Sequence, residues 1–579
     1  MGIPGFFRDL DKYHPECLLP KPITTIDVLA WDFNGVLYNS YAQLSKIHSP
    51  EHKNFQTKMI QFILKEIQKI IKLYPTQLLY LAMDGVAPEQ KMIEQRLRRS
   101  TRAITEQWFP FLEEHTSKKL YVPSIKQETK PKFSTFEFTP GSAFYDVFHK
   151  ALLKFLPTLP VSEIYYDSPF TPGEAEQKIL KWIQLQPNKN QTFYIISKDA
   201  DLLVLPFSLR PRTIYILREL EQRNEKTYLE RWGSENPLPL FITIDLPKLY
   251  DFYIEDIQKK VKNNNFFTKE VLFRDQEILT FFLGNDFIKP IYFLPSTTIS
   301  KSNVILQDAY LQTMDEIRLP LVQYDKRKKK WGFLLRPFIR FMGLLADQEC
   351  HLIGQYASDL LQKGKHKRIQ PETPTFDEWF THLDFANTDH PWSKMMIPFL
   401  QKLKVFQNQN RRLTPNEWIQ LHQWIHPSNP EISSPESYIA CLTYNLLYYM
   451  NHDPPSWRGS IEQPISPFPS QIVRWIMSKL TFHPDEQYLH DILDLEKVWT
   501  NWGKLPYTHN ENYNLVLPTE KERILFKPKD ILKPPCDIGT AGKWEHKTLL
   551  FHLAPWNITN RLQKNTKKRN QILPFHFLH

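Results

Sequence analysis

The chain has 579 residues, enough for two or three domains, and its 23% of charged and 41% of apolar residues are ordinary for a globular protein. Lysine and arginine outnumber aspartate and glutamate by 73 to 63, and the resulting net charge of +10 favours a polyanionic partner. Four widely separated cysteines argue against a zinc ribbon and fit a reducing compartment. No apolar run is long enough to span a bilayer, and the N-terminus lacks the apolar core of a signal peptide, so we expect a soluble intracellular protein.

Strand and helix patterns alternate from residue 23 to about residue 320. Short apolar runs predict strands, and apolar residues at helical spacing predict helices. This alternation predicts an α/β fold with a mostly parallel sheet flanked by helices, in which ligands bind beyond the carboxyl ends of the strands. The predicted strands are 26–31, 78–83, 164–166, 193–197 and 214–218, and the predicted helices are 55–74, 142–156, 176–183 and 268–282.

The rest of the chain is richer in loops. Residues 324–331 (YDKRKKKW) and 363–368 (KGKHKR) are predicted to form basic loops or linkers. A further helix is predicted over residues 437–450, and the remainder is irregular, with many prolines and aromatic residues.

Carboxylates recur where predicted strands end or predicted helices begin. Because the carboxyl ends of parallel strands meet at one edge of a sheet, these side chains are expected to converge. Buried like charges repel strongly, so they can converge only around cations, and a set of hard oxygen ligands predicts Mg²⁺ or Mn²⁺. Two such ions about 4 Å apart are typical of phosphoryl displacement. The alternative is that each acid merely forms a turn or favours a helix N-terminus. The seven acids are Asp32, Asp84, Glu174, Glu176, Asp199, Asp201 and Asp286.

A basic face follows the second of these strands. Lys91, Gln95, Arg98 and Arg99 stand at positions i, i+4, i+7 and i+8 of a predicted helix, so they share one face. A lysine with two arginines suits the oxygens of a phosphate group. The alternative is an ordinary solvated basic face.

Motifs along the chain resemble the Xrn-type 5′→3′ exoribonuclease family. A fainter second block of resemblance begins near residue 437, in LTYNLLYYMNHDPPSW, and residues 320–430 show no resemblance. The motifs up to residue 287 occur in family order: MGIPGFFRDL, WDFNGVLYN, LAMDGVAPEQKMIEQRLRRS, FTPGSAF, PGEAEQKI, SKDADLLVL, TIYILRE and FFLGNDF.

The resemblance implies a PIN-like nuclease core with a mainly helical and irregular second block packed against it. It divides the chain into a catalytic core over residues 1–320, a linker or insertion over 321–430, and a second block over 431–579 that completes the pocket and ends in a basic tail. The implied enzyme is a magnesium-dependent hydrolase. It degrades single-stranded RNA with a 5′-monophosphate to mononucleotides, processively and with two metal ions. Alternatives are a flap-endonuclease-like DNA nuclease and a non-catalytic RNA-binding scaffold.

The resemblance also implies roles for individual residues. The seven acids match the metal-binding acids of the family, and the face from Lys91 to Arg99 matches its pocket for the 5′-phosphate. Tyr38 stands where the family has a histidine that stacks on the 5′ base. Tyr444, or less closely Trp457, stands for the tryptophan on the other side of that base. Gln177 also departs from the family, which has histidine there, but both neighbouring acids are kept.

Expectations about the protein's setting come from the same resemblance. We expect a monomeric, compact member of the family without the additional C-terminal domains of its larger members. Decapping factors are a candidate partner. The expected location is the cytoplasm, including that of a host cell, since a compact enzyme would suit a large DNA virus that replicates there.

Overall fold

The computed structural model describes about three fifths of the chain. All structural statements below concern this part. It comprises residues 6–50, 52–92, 95, 133, 135–220, 225–232, 239–260, 267–291, 294, 299–366, 434–461, 466–481, 487–499 and 501–505.

Helices and strands alternate through the first half of the described chain and give way to helices later. The strands are β1 Leu18–Leu19, β2 Ile26–Asp32, β3 Thr76–Ala82, β4 Glu163–Asp167, β5 Thr192–Ile196, β6 Thr213–Glu219, β7 Phe241–Asp245, β8 Val322–Asp325 and β9 Lys330–Phe333. The helices are α1 Phe6–Tyr13, α2 Asn34–Leu44, α3 Phe55–Leu73, α4 Ala143–Phe155, α5 Ala175–Leu185, α6 Glu225–Trp232, α7 Leu246–Lys260, α8 Lys269–Leu279, α9 Ile299–Ile317, α10 Leu335–His366, α11 Pro435–Asn451, α12 Pro469–Lys479 and α13 Leu495–Val498.

Seven strands form one sheet in the order β1-β7-β6-β5-β2-β3-β4. The five strands from β6 to β4 run parallel, whereas β7 and β1 are antiparallel additions at one edge. The α/β fold with a mostly parallel sheet flanked by helices is therefore confirmed. The sheet brings the carboxyl ends of β2, β3 and β5 side by side.

The core forms because both the strands and the helices present apolar faces to one another. Strand β2 is buried along most of its length, as parallel strands covered by helices on both faces should be. Helix α3 turns its apolar stripe, which includes Met59, Ile63 and Ile67, into the same core as Trp31 and Leu79. The predicted strands and helices between residues 26 and 282 are present, with ends that differ by a few residues, except for the helix predicted around residues 91–99, most of which lies outside the described residues.

Both predicted basic loops are wrong in part. Residues 324–331 lie largely in a β-hairpin, since β8 pairs antiparallel with β9 and Asp325 pairs with Lys330. Asp325 Oδ1 accepts a hydrogen bond from the Arg327 amide at 2.8 Å, which closes the turn, and Lys329 adopts a positive φ of 49°. Residues 363–366 continue α10, because the lysine-rich sequence is compatible with a helix when it extends an apolar one. Residues 367–368 lie outside the described residues.

The chain divides into two compact units. The first comprises Met1–Lys91, Lys130–Leu345 and Ser433–Tyr513, and it holds the whole sheet and α11. The second comprises Met92–Thr129, Ala346–Ile432 and Asn514–His579. Among the described residues, no helix has the length and apolar character needed to cross a membrane.

Candidate active site

Two of the predicted acids lie at the ends of adjacent strands. Asp32 is the last residue of β2 and pairs with Ala82 of β3, so Asp84 follows two residues beyond that pair. The amide of Asp84 donates to Asn34 Oδ1 at 3.3 Å, which ties the two strand ends together. Both carboxylates consequently lie at the same edge of the sheet.

The next two acids belong to the start of α5. Gly173 has a φ of +111°, which favours glycine, and it turns the chain so that Glu174 becomes the N-cap residue of α5 and Glu176 lies in its first turn. Asp84 Oδ1 accepts a hydrogen bond from the Ala175 amide at 2.8 Å. A carboxylate is favourable at a helix N-terminus, where amides are otherwise unpaired, so this bond fixes α5 against the end of β3.

A serine links the third strand end to the first. Ser197 Oγ donates to Asp32 Oδ2 at 2.9 Å and accepts from the Asp199 amide at 3.1 Å. Carboxylate oxygens of Asp32, Glu176 and Asp199 all lie within 4.8 Å of one another. Three segments that are far apart in the chain thus place carboxylates at the spacing of a metal site.

Lys91 lies inside this group of acids. Its Nζ forms ion pairs with Glu174 Oε1 and, at 2.5 Å, with Asp286 Oδ2. Although burial lowers the pKa of Lys91, these two carboxylates raise it well above its ordinary value. Lys91 is therefore a permanent cation that joins the α5 acids to the loop after α8.

The acids lie close enough together to shift one another's pKa values. Burial, followed by the charges of Asp199 and Asp84, raises the pKa of Asp32 to about 8. Burial also raises the pKa of Asp201 to about 6, with smaller contributions from Asp286 and Asp199. Burial and the charge of Glu174 raise the pKa of Glu176 well above its ordinary value. The structure therefore brings all seven predicted acids into one electrostatically coupled group.

This donor set fits divalent cations. Burial and the charges of neighbouring acids raise the pKa values of Asp32 and Glu176, because several negative charges in one buried group are unfavourable without positive charge beside them. Carboxylate oxygens in this number are the ligands that Mg²⁺ and Mn²⁺ prefer. The residues that could hold such ions directly are Asp32, Glu176 and Asp199, with the other four acids around them.

A second acidic group lies elsewhere in the same unit and has a structural explanation. Asp325, His490 and Asp491 approach one another, but Lys328 Nζ lies 2.7 Å from Asp491 Oδ1, and Arg327 contacts both aspartates. These cations already balance the two carboxylates. The group therefore fastens the β8–β9 hairpin to the segment that carries His490.

The predicted face for the 5′-phosphate is described only in part. Lys91 lies in the acid group described above, and Gln95 is helical and half-buried. Arg98 and Arg99 lie outside the described residues. The shared face therefore stays a prediction from the sequence.

The two tyrosines of the predicted stacking pair lie in different environments. Tyr38 in α2 is 48% exposed, and its ring meets Phe138 edge to face. Tyr444 is completely buried, because its ring stacks on Trp499 at 4.5 Å and its hydroxyl donates to the Ser456 carbonyl at 3.1 Å. Both faces of a packed core ring are unavailable to a base, so the structure does not bring Tyr444 to the site.

Trp457, the weaker sequence candidate, lies beside the acids instead. It is half-buried, and its ring atom Cη2 lies 3.7 Å from the position that a Cβ at Gly173, the residue before Glu174, would take. Its carbonyl accepts from the Glu89 amide at 3.0 Å, so it is also tied to the segment that leads to Lys91.

Sequence reasoning missed several polar residues that support the acids. Asn34 accepts from Asp84 as described, and Asn285 forms the turn that carries Asp286. Each stands within two positions of a predicted acid, in WDFNG and GND, and this proximity was the available signal. Lys178 is buried and donates to the Met83 carbonyl at 2.8 Å, a role that no local pattern indicates.

Comparison with known proteins agrees with the sequence resemblance. Residues 1–220 match the family model described as "XRN 5'-3' exonuclease N-terminus". The chain is similar to a Caenorhabditis briggsae protein named 5'-3' exoribonuclease 2 homolog, with 27% identity over 372 residues that cover 52% of this chain and 37% of that protein.

Two fungal proteins show a similar level of likeness. A Schizosaccharomyces pombe protein named 5'-3' exoribonuclease 1 is 27% identical over 314 residues, which cover 50% of this chain and 22% of its own length. A Saccharomyces cerevisiae protein named 5'-3' exoribonuclease 2 is 27% identical over 371 residues, which cover 55% of this chain and 36% of its own length. The chain thus spans well under half of the length of these relatives.

Proposed function

We propose that the chain belongs to the Xrn-type family, whose N-terminal model matches residues 1–220, and that it is a 5′→3′ exoribonuclease. Its proposed substrate is single-stranded RNA with a 5′-monophosphate, which it degrades processively to mononucleotides. The observation that carries the proposal is the convergence of carboxylates from β2, the loop after β3, α5, the loop after β5 and the loop after α8 around one point at the edge of the sheet.

The acids would hold divalent cations, with Mg²⁺ or Mn²⁺ the best fit to the donor set. Two such ions held by these acids would supply a lowered pKa to the attacking water and charge stabilisation to the departing 3′ oxygen. The protein's own contribution is to position the ligands: Ser197 orients Asp32, and the α5 N-terminus orients Asp84. Lys91 pairs with both Glu174 and Asp286 and places a positive charge between them.

Exonucleolytic action is proposed to follow from a pocket beside the acids. By resemblance, Gln95, Arg98 and Arg99, together with Lys91, bind the terminal phosphate and leave too little room for a triphosphate or a cap. A guanidinium pair gives charge-assisted, directional bonds to phosphate oxygens. If the terminal phosphate is bound in this pocket, only the first phosphodiester linkage of the RNA can lie at the acids.

The first base is proposed to stack on Tyr38, whose ring is substantially exposed. Its partner on the other face is proposed to be Trp457 rather than Tyr444, because Trp457 lies beside Gly173 whereas Tyr444 is enclosed in the core. Aromatic stacking stabilises an unpaired base without requiring a particular sequence.

The test is a degradation assay on one RNA prepared with a 5′-monophosphate, a 5′-triphosphate or a 5′-hydroxyl end, each with Mg²⁺ or with a chelator. We expect mononucleotides from the monophosphorylated RNA in Mg²⁺, much slower decay of the other two RNAs, and none with the chelator. A DNA flap substrate belongs in the same series, since cleavage at its junction would support a structure-specific DNA nuclease instead.

The phosphate pocket has its own test in Arg98→Ala. The variant should raise KM for monophosphorylated RNA and reduce the preference over 5′-hydroxyl RNA. An unchanged preference would contradict the assignment of the pocket, although not that of the acids.

The remaining proposals concern the setting of the enzyme. We propose that it acts as a monomer in the cytoplasm, with decapping factors supplying the 5′-monophosphate ends. Light scattering of the purified protein would test the oligomeric state, and fractionation of expressing cells would test the location.

A further inference from the structure

Helix α11 carries a polar stripe although it is buried on all sides. Residues 438–450 are all buried, as expected of a helix in the middle of a protein core. Yet Asn445, Tyr448 and Tyr449 stand at positions i, i+3 and i+4, so they share one helix face, and His452, the C-cap residue, completes this polar stripe. Buried polar groups are costly without hydrogen-bond partners, and their partners therefore indicate what this face does.

One end of the stripe holds the turn that carries Asp286. Asn445 Nδ2 donates to the Cys441 carbonyl at 2.7 Å within the helix, which turns its Oδ1 outward. That oxygen accepts from Asn285 Nδ2 at 2.9 Å, and the Tyr449 hydroxyl lies 3.2 Å from the same nitrogen.

Asn285 also fixes the turn that carries Asp286. Its own Oδ1 accepts from the amides of Phe287 at 2.9 Å and Ile288 at 3.0 Å, so it closes the turn around Asp286. The orientation of Asp286 consequently depends on an amide that α11 holds from the other side.

The middle and far end of the stripe reach α5. The Tyr448 hydroxyl lies 3.5 Å from Glu174 Oε2, while Lys91 occupies the other oxygen, Oε1, of the same carboxylate. His452 Nδ1 lies 3.1 Å from Oε1 of Gln177, the residue after Glu176. The stripe therefore contacts both acid-bearing segments that do not lie at strand ends.

We propose that Tyr448 and Asn445 are positioning residues, which hold Glu174 and Asp286 in the orientation that divalent cations require. The inference rests on the proposed function, because it assigns these acids to a metal site. Groups that hydrogen-bond metal ligands fix the ligand rotamers, and their loss typically weakens metal binding or activity about 10- to 100-fold. Since the Tyr448 contact is long, the lower end of that range is expected for this residue.

The first test is Tyr448→Phe, which removes one hydroxyl and keeps the ring. Its matched control is Tyr438→Phe on the same helix, because Tyr438 is equally buried and its hydroxyl has no hydrogen-bond partner among the described residues. We expect Tyr448→Phe to weaken Mn²⁺ binding about tenfold, measured by electron paramagnetic resonance of free Mn²⁺ without RNA. Tyr438→Phe should bind Mn²⁺ like the parent protein.

The second test is Asn445→Leu, which keeps the approximate volume but removes the acceptor for Asn285. Thr443→Val is its control, since the Thr443 hydroxyl bonds within the helix to the Ile439 carbonyl at 2.9 Å. Asn445→Leu should weaken Mn²⁺ binding and raise the Mg²⁺ concentration for half-maximal RNA hydrolysis by a similar factor. Thr443→Val should change neither quantity.

Unchanged Mn²⁺ affinity in both Tyr448→Phe and Asn445→Leu would overturn the inference. Equal weakening of Mn²⁺ binding in a variant and in its matched control would also overturn the inference, because a general loss of helix packing would then explain both results. Failure of the proposed function is separate: the parent protein would then bind Mn²⁺ but leave 5′-monophosphorylated RNA intact. The comparison of Mn²⁺ affinities would still decide whether the stripe positions the acids.

Discussion

The backbone amide of Gly85 donates to the carbonyl of Gly173 at 2.9 Å, and the amide of Gly173 donates in return to the carbonyl of Val86 at 2.8 Å. These bonds join the segment after Asp84 to the segment before Glu174. Two acids that are 90 residues apart in the chain are thereby held by main-chain bonds as well as by their own side chains.

The close approach at Gly85 leads to a first prediction. A Cβ at this position would overlap the carbonyl oxygen of Thr171, so Gly85→Ala should push the 171–173 segment away and displace Glu174. We expect a loss of about 1–3 kcal/mol in the free energy of unfolding. Mg²⁺-dependent RNA hydrolysis should fall as well.

Gly35→Ala is the control, because Gly35 lies in the first turn of α2, near Asp32, and an added Cβ would have no atom from the rest of the described chain, outside its own helix, within 4 Å. It should be as stable as the parent protein or more stable by up to about 1 kcal/mol. Equal denaturant midpoints for the two variants would contradict the packing argument.

Lys91→Met is expected to destabilise the protein when metal is chelated. Removing one partner of a buried ion pair leaves an uncompensated charge and typically costs about 3–5 kcal/mol. Added Mg²⁺ should restore more of the Tm in Lys91→Met than in the parent protein, since a divalent cation can balance Glu174 and Asp286 in place of the lysine. Thermal unfolding with chelator and with Mg²⁺ measures both effects.

The matched control for Lys91 is Lys181→Met. The Lys181–Asp453 pair has a similar separation, 2.8 Å, but its side chains are 45% and 49% exposed. Exposed pairs contribute at most about 1 kcal/mol, so this variant should remain close to the parent in both conditions. A Tm of Lys91→Met in chelator that equals the parent value would count against the role of Lys91.

Two acids on strand β2 allow a prediction about catalysis. Asp32 ends the strand at the acid group, whereas Asp27 lies near its other end, where its Oδ2 accepts from the Thr192 amide at 2.9 Å. Asp32→Asn should reduce kcat by more than about 10³-fold, and Asp201→Ala should abolish hydrolysis in the same way, both without loss of RNA binding.

Asp27→Asn should keep full activity, because an asparagine oxygen can still accept from Thr192. Single-turnover hydrolysis and filter binding on the same RNA separate chemistry from affinity. Substantial Mg²⁺-dependent turnover by Asp32→Asn or Asp201→Ala would show that the acids are not the metal ligands.

His452 provides a prediction about pH. Burial lowers the pKa of His452 to about 3, well below its ordinary value of 6.5. Between these two values the unfolded chain binds a proton that the folded protein does not, so the free energy of unfolding falls as the pH decreases, by up to about 1.4 kcal/mol per pH unit. The contribution is fully present above pH 6.5 and is lost progressively toward pH 3.

The variant His452→Asn removes this titration but keeps a donor for Gln177 and a residue that tolerates the positive φ of 50°. The difference in stability between variant and parent should therefore shift in favour of the variant between pH 7.5 and pH 5, measured by urea unfolding in chelator. His52→Asn, at an exposed histidine, is the matched control for the substitution itself. A difference that is the same at both pH values would refute the assignment.

Local patterns were sufficient for the architecture and for the positions of the acids. Strands such as β2 and β5 are short apolar runs bounded by polar residues, and parallel strands necessarily end at a common edge. Acids placed after those runs, such as Asp32 and Asp199, therefore had to lie close together. The antiparallel strands β1 and β7 and the β8–β9 hairpin were not predicted. Strand β1 has only two residues, and lysines dominate the sequence of the hairpin.

The sequence by itself thus determined the parallel part of the sheet, the edge at which the acids gather and the family that their motifs resemble. Only the tertiary structure decided that Lys91 lies between Glu174 and Asp286, that Tyr444 is enclosed by Trp499, and that α11 supports the acids from behind. The physical reason is the range of the interactions. Periodicity and strand ends are local properties, whereas the bond from Asn285 to Asn445 joins residues 160 positions apart and exists only because packing brings them together.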